Sequence, residues 1–225
     1  MRIGVISDVH SNSVALAAVL AALEKQKVEA ILCAGDIISY YPFVNEAIDL
    51  LRERDVICIA GNHDRYLWGN LAISNEKWRA YNLDYATQII RDDNRLWLAN
   101  LPFQWCKELG GLRWHICHGS PWGVEEYIYP DDKAFDRFAS IKADIVVMGH
   151  THIPLIRRVG DILILNPGSC GQPRDYNPMP SYAVVDATTV SAVVKRVSYD
   201  VDAVCRRVAL EGFDQKFIDI LRRTR

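Results

Sequence analysis

The order of elements along this chain predicts an α/β (α+β) protein in which two mixed β-sheets pack face to face with helices outside. Three observations carry the expectation. Short apolar runs alternate with helical stretches as far as Ala60, the pattern of a parallel sheet with right-handed crossovers. The last part of the chain changes to consecutive strand-like runs separated by turn residues, as in antiparallel hairpins. Five apolar runs end in Asp, Asn or His, which places polar chemistry where open α/β sheets hold their ligands. With 225 residues, half of them hydrophobic and 24% charged, the chain has the length and composition of one substantial globular domain spanning 1–225.

Ile3 to Ser7 reads as the first strand, followed by Asp8-Val9-His10 and then Ser11-Asn12-Ser13, residues suited to capping a helix. Val14 to Lys25 is dense in Ala and Leu and free of Gly and Pro, so it reads as a buried helix. Ile31 to Ala34 is the second strand and Gly35-Asp36 ends it. Asn45 to Arg54 is a short amphipathic helix. Val56 to Ala60 is the third strand, and Gly61-Asn62-His63-Asp64 follows, with Gly61 expected to permit a tight exit. The segment 65–100 is helical and aromatic-rich (Tyr66, Trp68, Trp78, Tyr81, Tyr85, Trp97), and most of these rings are expected to pack against the sheet. Arg113 to Cys117 is a strand ended by His118-Gly119, Trp122 to Tyr129 a loop over the site, and Asp131 to Ser140 a helix. Asp144 to Met148 is a buried strand ended by Gly149-His150-Thr151-His152. Hairpins follow over 155–165 and 182–199, with an Asn166-Pro167-Gly168-Ser169 turn between them and terminal helices over 201–210 and 214–222.

The formal net charge of −2 lacks the basic footprint that nonspecific binding to nucleic acid or anionic membranes needs, so neither partner is expected. No apolar run approaches the roughly 18 residues of a membrane span, and the N-terminus reaches Asp8 too soon for a signal peptide. The six cysteines form no C-x-x-C pair, which reads as buried reduced thiols in a cytoplasmic protein.

Asp8, His10, Asp36, Asn62, His118, His150 and His152 all stand just past strand ends. Oxygen and imidazole donors without thiolate favour manganese, iron, nickel, cobalt or zinc over a soft metal. The set is too large for one tetrahedral ion and suits two divalent ions sharing a carboxylate, roughly 3.5–4 Å apart. Two such ions, two aspartates and a bridging hydroxide leave about one positive charge, suited to a phosphate anion. His115, inside a strand, reads instead as core or as support behind the site. Arg174 is a tentative grip for a phosphate, with an ion pair to Asp175 or a neighbour as the alternative. Tyr40 or Tyr41 is a candidate to narrow the cleft, with packing as the alternative, and Cys170 reads as a packed thiol.

In order, Asp8-Val9-His10, Gly35-Asp36, Gly61-Asn62-His63-Asp64, His118-Gly119 and Gly149-His150-Thr151-His152 resemble the motif set of the calcineurin-like metallophosphoesterase superfamily. Asn166 to Ser169 and Gly171 to Asp175 resemble its small bacterial and archaeal phosphodiesterase-like branch. The resemblance implies a four-layer αββα sandwich. It implies one metal on Asp8, His10, Asp36 and His152, and a second on Asp36, Asn62, His118 and His150, with manganese as the leading candidate. It implies hydrolysis of a small phosphoester, a phosphodiester first, by a metal-bridging hydroxide. His63 would serve as general acid or help hold the phosphoryl group, and no residue is identified that orients it. Departure from the protein-phosphatase branch is visible after Asp36, where Ile37 to Pro42 supply neither a second Asp nor an Arg. The alternatives are a nucleotide phosphatase or dinucleoside polyphosphate hydrolase and, in another class, a non-catalytic interaction scaffold of the same fold. A nucleotide substrate and a homo-oligomer stay open.

Overall fold

The structure, a computed structural model, describes residues 1–224. Arg225, the last residue of the predicted domain, lies outside the described residues. Two five-stranded mixed sheets are stacked, as predicted. The first runs β10-β9-β1-β2-β3, with β1 (Arg2–Ile6), β2 (Ala30–Cys33) and β3 (Ile57–Cys58) parallel. β9 (Ser181–Asp186) and β10 (Ser191–Arg196) form a hairpin that adds antiparallel to β1. The second sheet runs β4-β5-β6-β8-β7, with β5 (Leu112–Ile116), β6 (Ile145–Val147) and β8 (Ile162–Asn166) parallel. β4 (Trp105–Leu109) and β7 (Leu155–Val159) are its antiparallel edges.

Alternation along each strand explains the layers. Ile3 and Val5 of β1, with Leu32, face Trp114, Ile116, Ile145, Val147, Leu163 and Leu165 of the other sheet, forming the central layer. Ile6 and Cys33 face outward to α1 (Ser13–Lys25) and α2 (Val44–Glu53), where Leu16, Val19, Leu23 and Ile48 are fully buried. β8 is buried on both faces, so Ile162 and Ile164 point the other way and meet Phe135 and Phe138. Each such side chain contributes about 1.5–3 kcal/mol on full burial. The α1 N-terminus is capped as predicted, with Ala15 N donating to Asn12 Oδ1 at 3.1 Å.

Three elements and one side chain differ from expectation. The 65–100 segment is four short helices, α3 (Asn62–Leu67), α4 (Asn75–Ala80), α5 (Leu83–Ile89) and α6 (Asp92–Ala99). The helix expected over 131–140 is a 3₁₀ stretch, Lys133–Ser140. Phe135 and Phe138 are three apart, so a three-residue turn puts both rings on the face that covers the second sheet. β4 was not foreseen, because its residues are mostly exposed and show no apolar alternation. Its hairpin with β5 turns through Gly110 (φ 62°) and Gly111 (φ 77°), a two-residue signal readable in sequence. His115 is neither core nor support for the site. It is half-buried beside β4, with Nε2 2.8 Å from Gln104 Oε1.

α7 (Val201–Leu210) and α8 (Lys216–Leu221) close the chain. Val204, Val208, Phe217 and Leu221 bury Tyr40 and Tyr41 from below. Five cysteines are buried, Cys106 is exposed, and none is in a disulfide. Among the described residues no helix is long and apolar enough to cross a membrane.

Candidate metal centre

All seven predicted ligands leave the carboxyl ends of β1, β2, β3, β5 and β6, and all are at least 95% buried. The loop after β1 runs beside the loop after β2, with Asp8 N donating to the Gly35 carbonyl (3.0 Å) and His10 N to the Asp36 carbonyl (2.9 Å). Asp8, His10 and His152 bring one donor atom each into a common cluster, and Asp36, His118 and His150 do the same. His10 Nε2 lies 3.0 Å from His152 Nε2, and His152 Nε2 lies 3.3 Å from Asp8 Oδ1. Asp36 Oδ2 stands between the clusters, 3.8 Å from His10 Nε2 and 3.2 Å from His118 Nε2. Such separations suit the edges of a coordination polyhedron whose bonds are about 2.0–2.2 Å.

Hydrogen bonds turn the imidazoles toward this centre. His118 Nδ1 donates to the Ala34 carbonyl (2.7 Å) and His152 Nδ1 to the Gln172 carbonyl (2.6 Å). In the neutral rings that leaves each Nε2 as a lone pair facing inward. His10 Nδ1 is 2.8 Å from Ser39 Oγ. His118 Nε2, His150 Nε2 and Asn62 Oδ1 are buried without a hydrogen-bond partner. Buried polar atoms left unpaired are costly, and a divalent cation would satisfy all three at once, displacing the proton that His118 holds without it. These three atoms suit one cation, and the Asp8, His10 and His152 cluster has the donor types to hold another.

The charges point the same way. Burial holds His10 and His152 well below the ordinary imidazole value, and lowers His150 to about 3, so these three rings are neutral. Burial opposes a charge on His118 as well, but Asp36 and Asp8 outweigh it and raise His118 to about 10. Burial opposes ionisation of Asp36 in turn, and His118 and His63 overcome it and hold that carboxyl well below the usual range. Burial pushes Asp8 up to about 7.

Backbone conformation shows how specialised the loops are. Asp8 (φ 55°), His10 (48°), Asp36 (54°), His150 (67°) and His152 (60°) are all left-handed. Each such non-glycine residue costs roughly 1–2 kcal/mol, and strain of this kind collects at functional sites. Gly61 is different. Its φ of −83° and ψ of −173° are ordinary extended values, so it is not needed for a tight exit. A Cβ there would meet Asp36 Oδ1 at 2.2 Å, and close approach is what requires glycine.

His63 also lies at the centre, with Nε2 3.7 Å from Asp36 Oδ2 and its donor atom within cluster reach of His10 and Asp36. Tyr81 (ring centroids 4.4 Å), Tyr40 (5.1 Å) and Tyr66 (5.7 Å) enclose its ring. Among the described residues its Nδ1 has no hydrogen-bond partner, and burial lowers it to about 4.

Above the ligands opens a cleft of about 560 Å³ lined by Tyr40, Tyr66, Tyr81, Tyr127, Lys77 and Arg174 among others. Arg174 Nη2 reaches Tyr40 Oη (3.3 Å) and Gln172 Oε1 (3.4 Å). Asp175 is bonded to Arg196 instead, so the alternative pairing for Arg174 is not formed. Of the two candidate tyrosines, Tyr40 walls the cleft. Tyr41 is buried, its hydroxyl 3.2 Å from Gln172 Nε2 and 3.4 Å from the Phe217 carbonyl. Cys170 is a packed thiol in the outer core. The 122–129 loop does cover the site, since Glu125 and Tyr127 line the cleft and Tyr127 stands against His150 (3.9 Å between ring centroids). Sequence reasoning passed over Tyr127 and Glu125. Tyr66 and Tyr81, read mainly as packing, face the cleft, whereas Trp68, Trp78 and Trp97 do pack.

Comparison with known proteins agrees with this geometry. A family model described as the calcineurin-like phosphoesterase superfamily domain matches residues 1–190. The uncharacterized protein MJ0912 of Methanocaldococcus jannaschii is 32% identical over 219 residues, covering 88% of each chain. Phosphodiesterase MJ0936 of the same organism is 26% identical over 173 residues, 76% of this chain and 84% of that one. The crystal structure of a metallophosphoesterase from Sphaerobacter thermophilus superposes with a TM-score of 0.86 at 30% identity, covering 100% of this chain and 99% of the other. The chain thus belongs to the calcineurin-like phosphoesterase superfamily.

Proposed function

We propose that this chain is a dinuclear-metal phosphoesterase that hydrolyses phosphodiester bonds of small substrates. The observation that carries the reading is the pair of donor clusters meeting at Asp36 Oδ2. Asp8, His10, Asp36 and His152 would hold one divalent ion, and Asp36, Asn62, His118 and His150 the other, with manganese first among the candidates. Once bound, such ions supply an activated water near neutral pH and offset the charge that grows on the phosphoryl oxygens. The chain's own contribution is placement. Arg174, half-buried at the cleft wall and in no ion pair among the described residues, orients the phosphoryl group through its fork of N–H donors. His63 lines the same cleft. Of its two expected roles, the lowered pKa favours a neutral imidazole donating a hydrogen bond to the substrate over an imidazolium releasing a proton. The phosphodiesterase name of one relative supports the diester preference. The unpaired cysteines support a cytoplasmic setting.

The test is a metal-content measurement followed by an assay of phosphodiesters, phosphomonoesters and nucleotides with Mn²⁺, Ni²⁺ and Mg²⁺ supplied separately. Two equivalents of metal per chain and hydrolysis of a diester are expected. Absence of both metal uptake and turnover would leave the scaffold reading standing instead.

A further inference from the structure

Asp64 is fully buried and belongs to neither donor cluster. Its two oxygens are consumed by backbone donors. Oδ1 accepts from Ile37 N (3.0 Å) and Ile38 N (3.1 Å), and Oδ2 accepts from Gly61 N (2.9 Å). The first two donors follow Asp36 in the loop after β2, and the third precedes Asn62 in the turn after β3. The complementary bond runs the other way, from His63 N to Asp36 Oδ1 (2.9 Å). Two carboxylates from two loops thus each accept backbone N–H groups of the opposite loop.

This cross-brace decides which oxygen of Asp36 is free. With Oδ1 engaged by His63 N, Oδ2 is the atom left to stand between the clusters. The loop it holds is strained, with Gly35 (φ 93°), Asp36 (54°), Ser39 (110°) and Tyr40 (55°) all left-handed around the braced Ile37 and Ile38. Such conformations persist only where the surroundings over-determine them. A simple helix cap would need only the bond to Gly61 N, which closes the first turn of α3. The other arm, to residues 26 and 27 positions away, has no capping purpose.

We propose that Asp64 is a positioning residue for the metal centre, clamping the Asp36 loop to the Asn62–His63 turn so that Asp36 Oδ2 and Asn62 Oδ1 are held as a matched pair of donors. The proposal rests on the two-metal reading above. In Asp64→Asn, the amide oxygen can still serve Ile37 and Ile38, but the amide nitrogen faces the Gly61 N–H, donor against donor. Supporting residues behind metal ligands typically change metal affinity about 10–100-fold when lost.

The experiment titrates Mn²⁺ into metal-free wild type and Asp64→Asn by calorimetry, with the melting temperature of each metal-free protein measured in parallel. The expected result is a second equivalent bound about 10–100-fold more weakly by the variant, with little change in metal-free melting. Unchanged affinity for both equivalents, with or without a lower melting temperature, overturns the proposal and makes Asp64 a cap. Fewer than two equivalents on the wild type defeats the two-metal reading, and the brace with it, and is seen before any variant is made. Should Asp64→Asn not fold, hydrogen exchange on metal-free wild type decides. The Ile37, Ile38 and Gly61 amides are expected to exchange together, as one unit, and independent exchange overturns the brace.

Discussion

Gly61→Ala perturbs the centre without touching a ligand. The backbone of Gly61 is already acceptable to any residue, so the only new element is one methyl group. Its carbon would stand 2.2 Å from Asp36 Oδ1, 2.4 Å from Asp36 N and 2.8 Å from Asp36 Cγ. Cβ atoms essentially never come closer than 3.0 Å to another heavy atom, so Asp36 and the new methyl must separate by about 0.8 Å, several times the roughly 0.2 Å that a metal–ligand distance tolerates. Overpacking of this kind costs about 1–3 kcal/mol, and for a chain of this size that lowers Tm by about 2–12 °C. Misplacement of this order typically costs about 10²-fold in turnover. The assay measures metal content, Tm and hydrolysis of a chromogenic phosphodiester with Mn²⁺. Gly123→Ala is the control, since its Cβ would find nothing nearer than 3.5 Å. Two bound metals and wild-type turnover in Gly61→Ala would refute the claim that close packing against Asp36 positions the centre.

Three further outcomes are expected. His63→Ala should lose about 10²-fold in turnover, to a similar degree for alkyl and nitrophenyl esters. A loss concentrated in the alkyl esters would restore the general-acid role. Arg174→Gln should raise KM about 10-fold or more with both clusters still metallated, because it removes a charged hydrogen bond of about 1.5–3 kcal/mol from the substrate; unchanged KM refutes the phosphate grip. Metal uptake should tighten from pH 6 to 9. His118 is raised to about 10 without metal, so below that pH it holds a proton that a metal must displace. Calorimetry in buffers of differing ionisation enthalpy should show proton release, and pH-independent affinity would contradict the His118–Asp36 pairing.

Much of the centre was legible because its chemistry is written in short strings at strand ends. Asp8, Asp36, Asn62, His118 and His150 each follow an apolar run, and a parallel sheet gathers such ends whatever their distance along the chain. Less legible were features set by contacts between loops. That Asp64 faces Ile37 and Ile38, or that Gly61 is required by Asp36 and not by its own φ, depends on how two loops lie together. Edge strand β4 was hidden because its exposed residues carry no core pattern, although Gly110-Gly111 announced the hairpin. Tyr127 was unreadable for a related reason: a loop without periodicity gives no sign of which side chain turns inward. The short helices of 65–100 share one helical composition, and their breaks fall at 68–74, where Gly69 is left-handed and Ser74 caps α4, at 81–82, where Asn82 is left-handed, and at 90–91.

The place of β9 beside β1 has a consequence for the order in which the protein is made. Asp8 and His10 leave the ribosome before the other five donors, yet the loop that carries them is tied to residues made much later. Cys170 N donates to the Ser7 carbonyl (2.9 Å), Gly171 N to the Asp8 carbonyl (2.9 Å), and β1 itself lacks one neighbour until Ser181–Asp186 arrives. The earliest of the seven donors thus wait for the last strand but one. Contacts this distant in sequence make for slow folding, and a nascent chain stopped before Asp186 would carry all seven donors without the framework that brings them together.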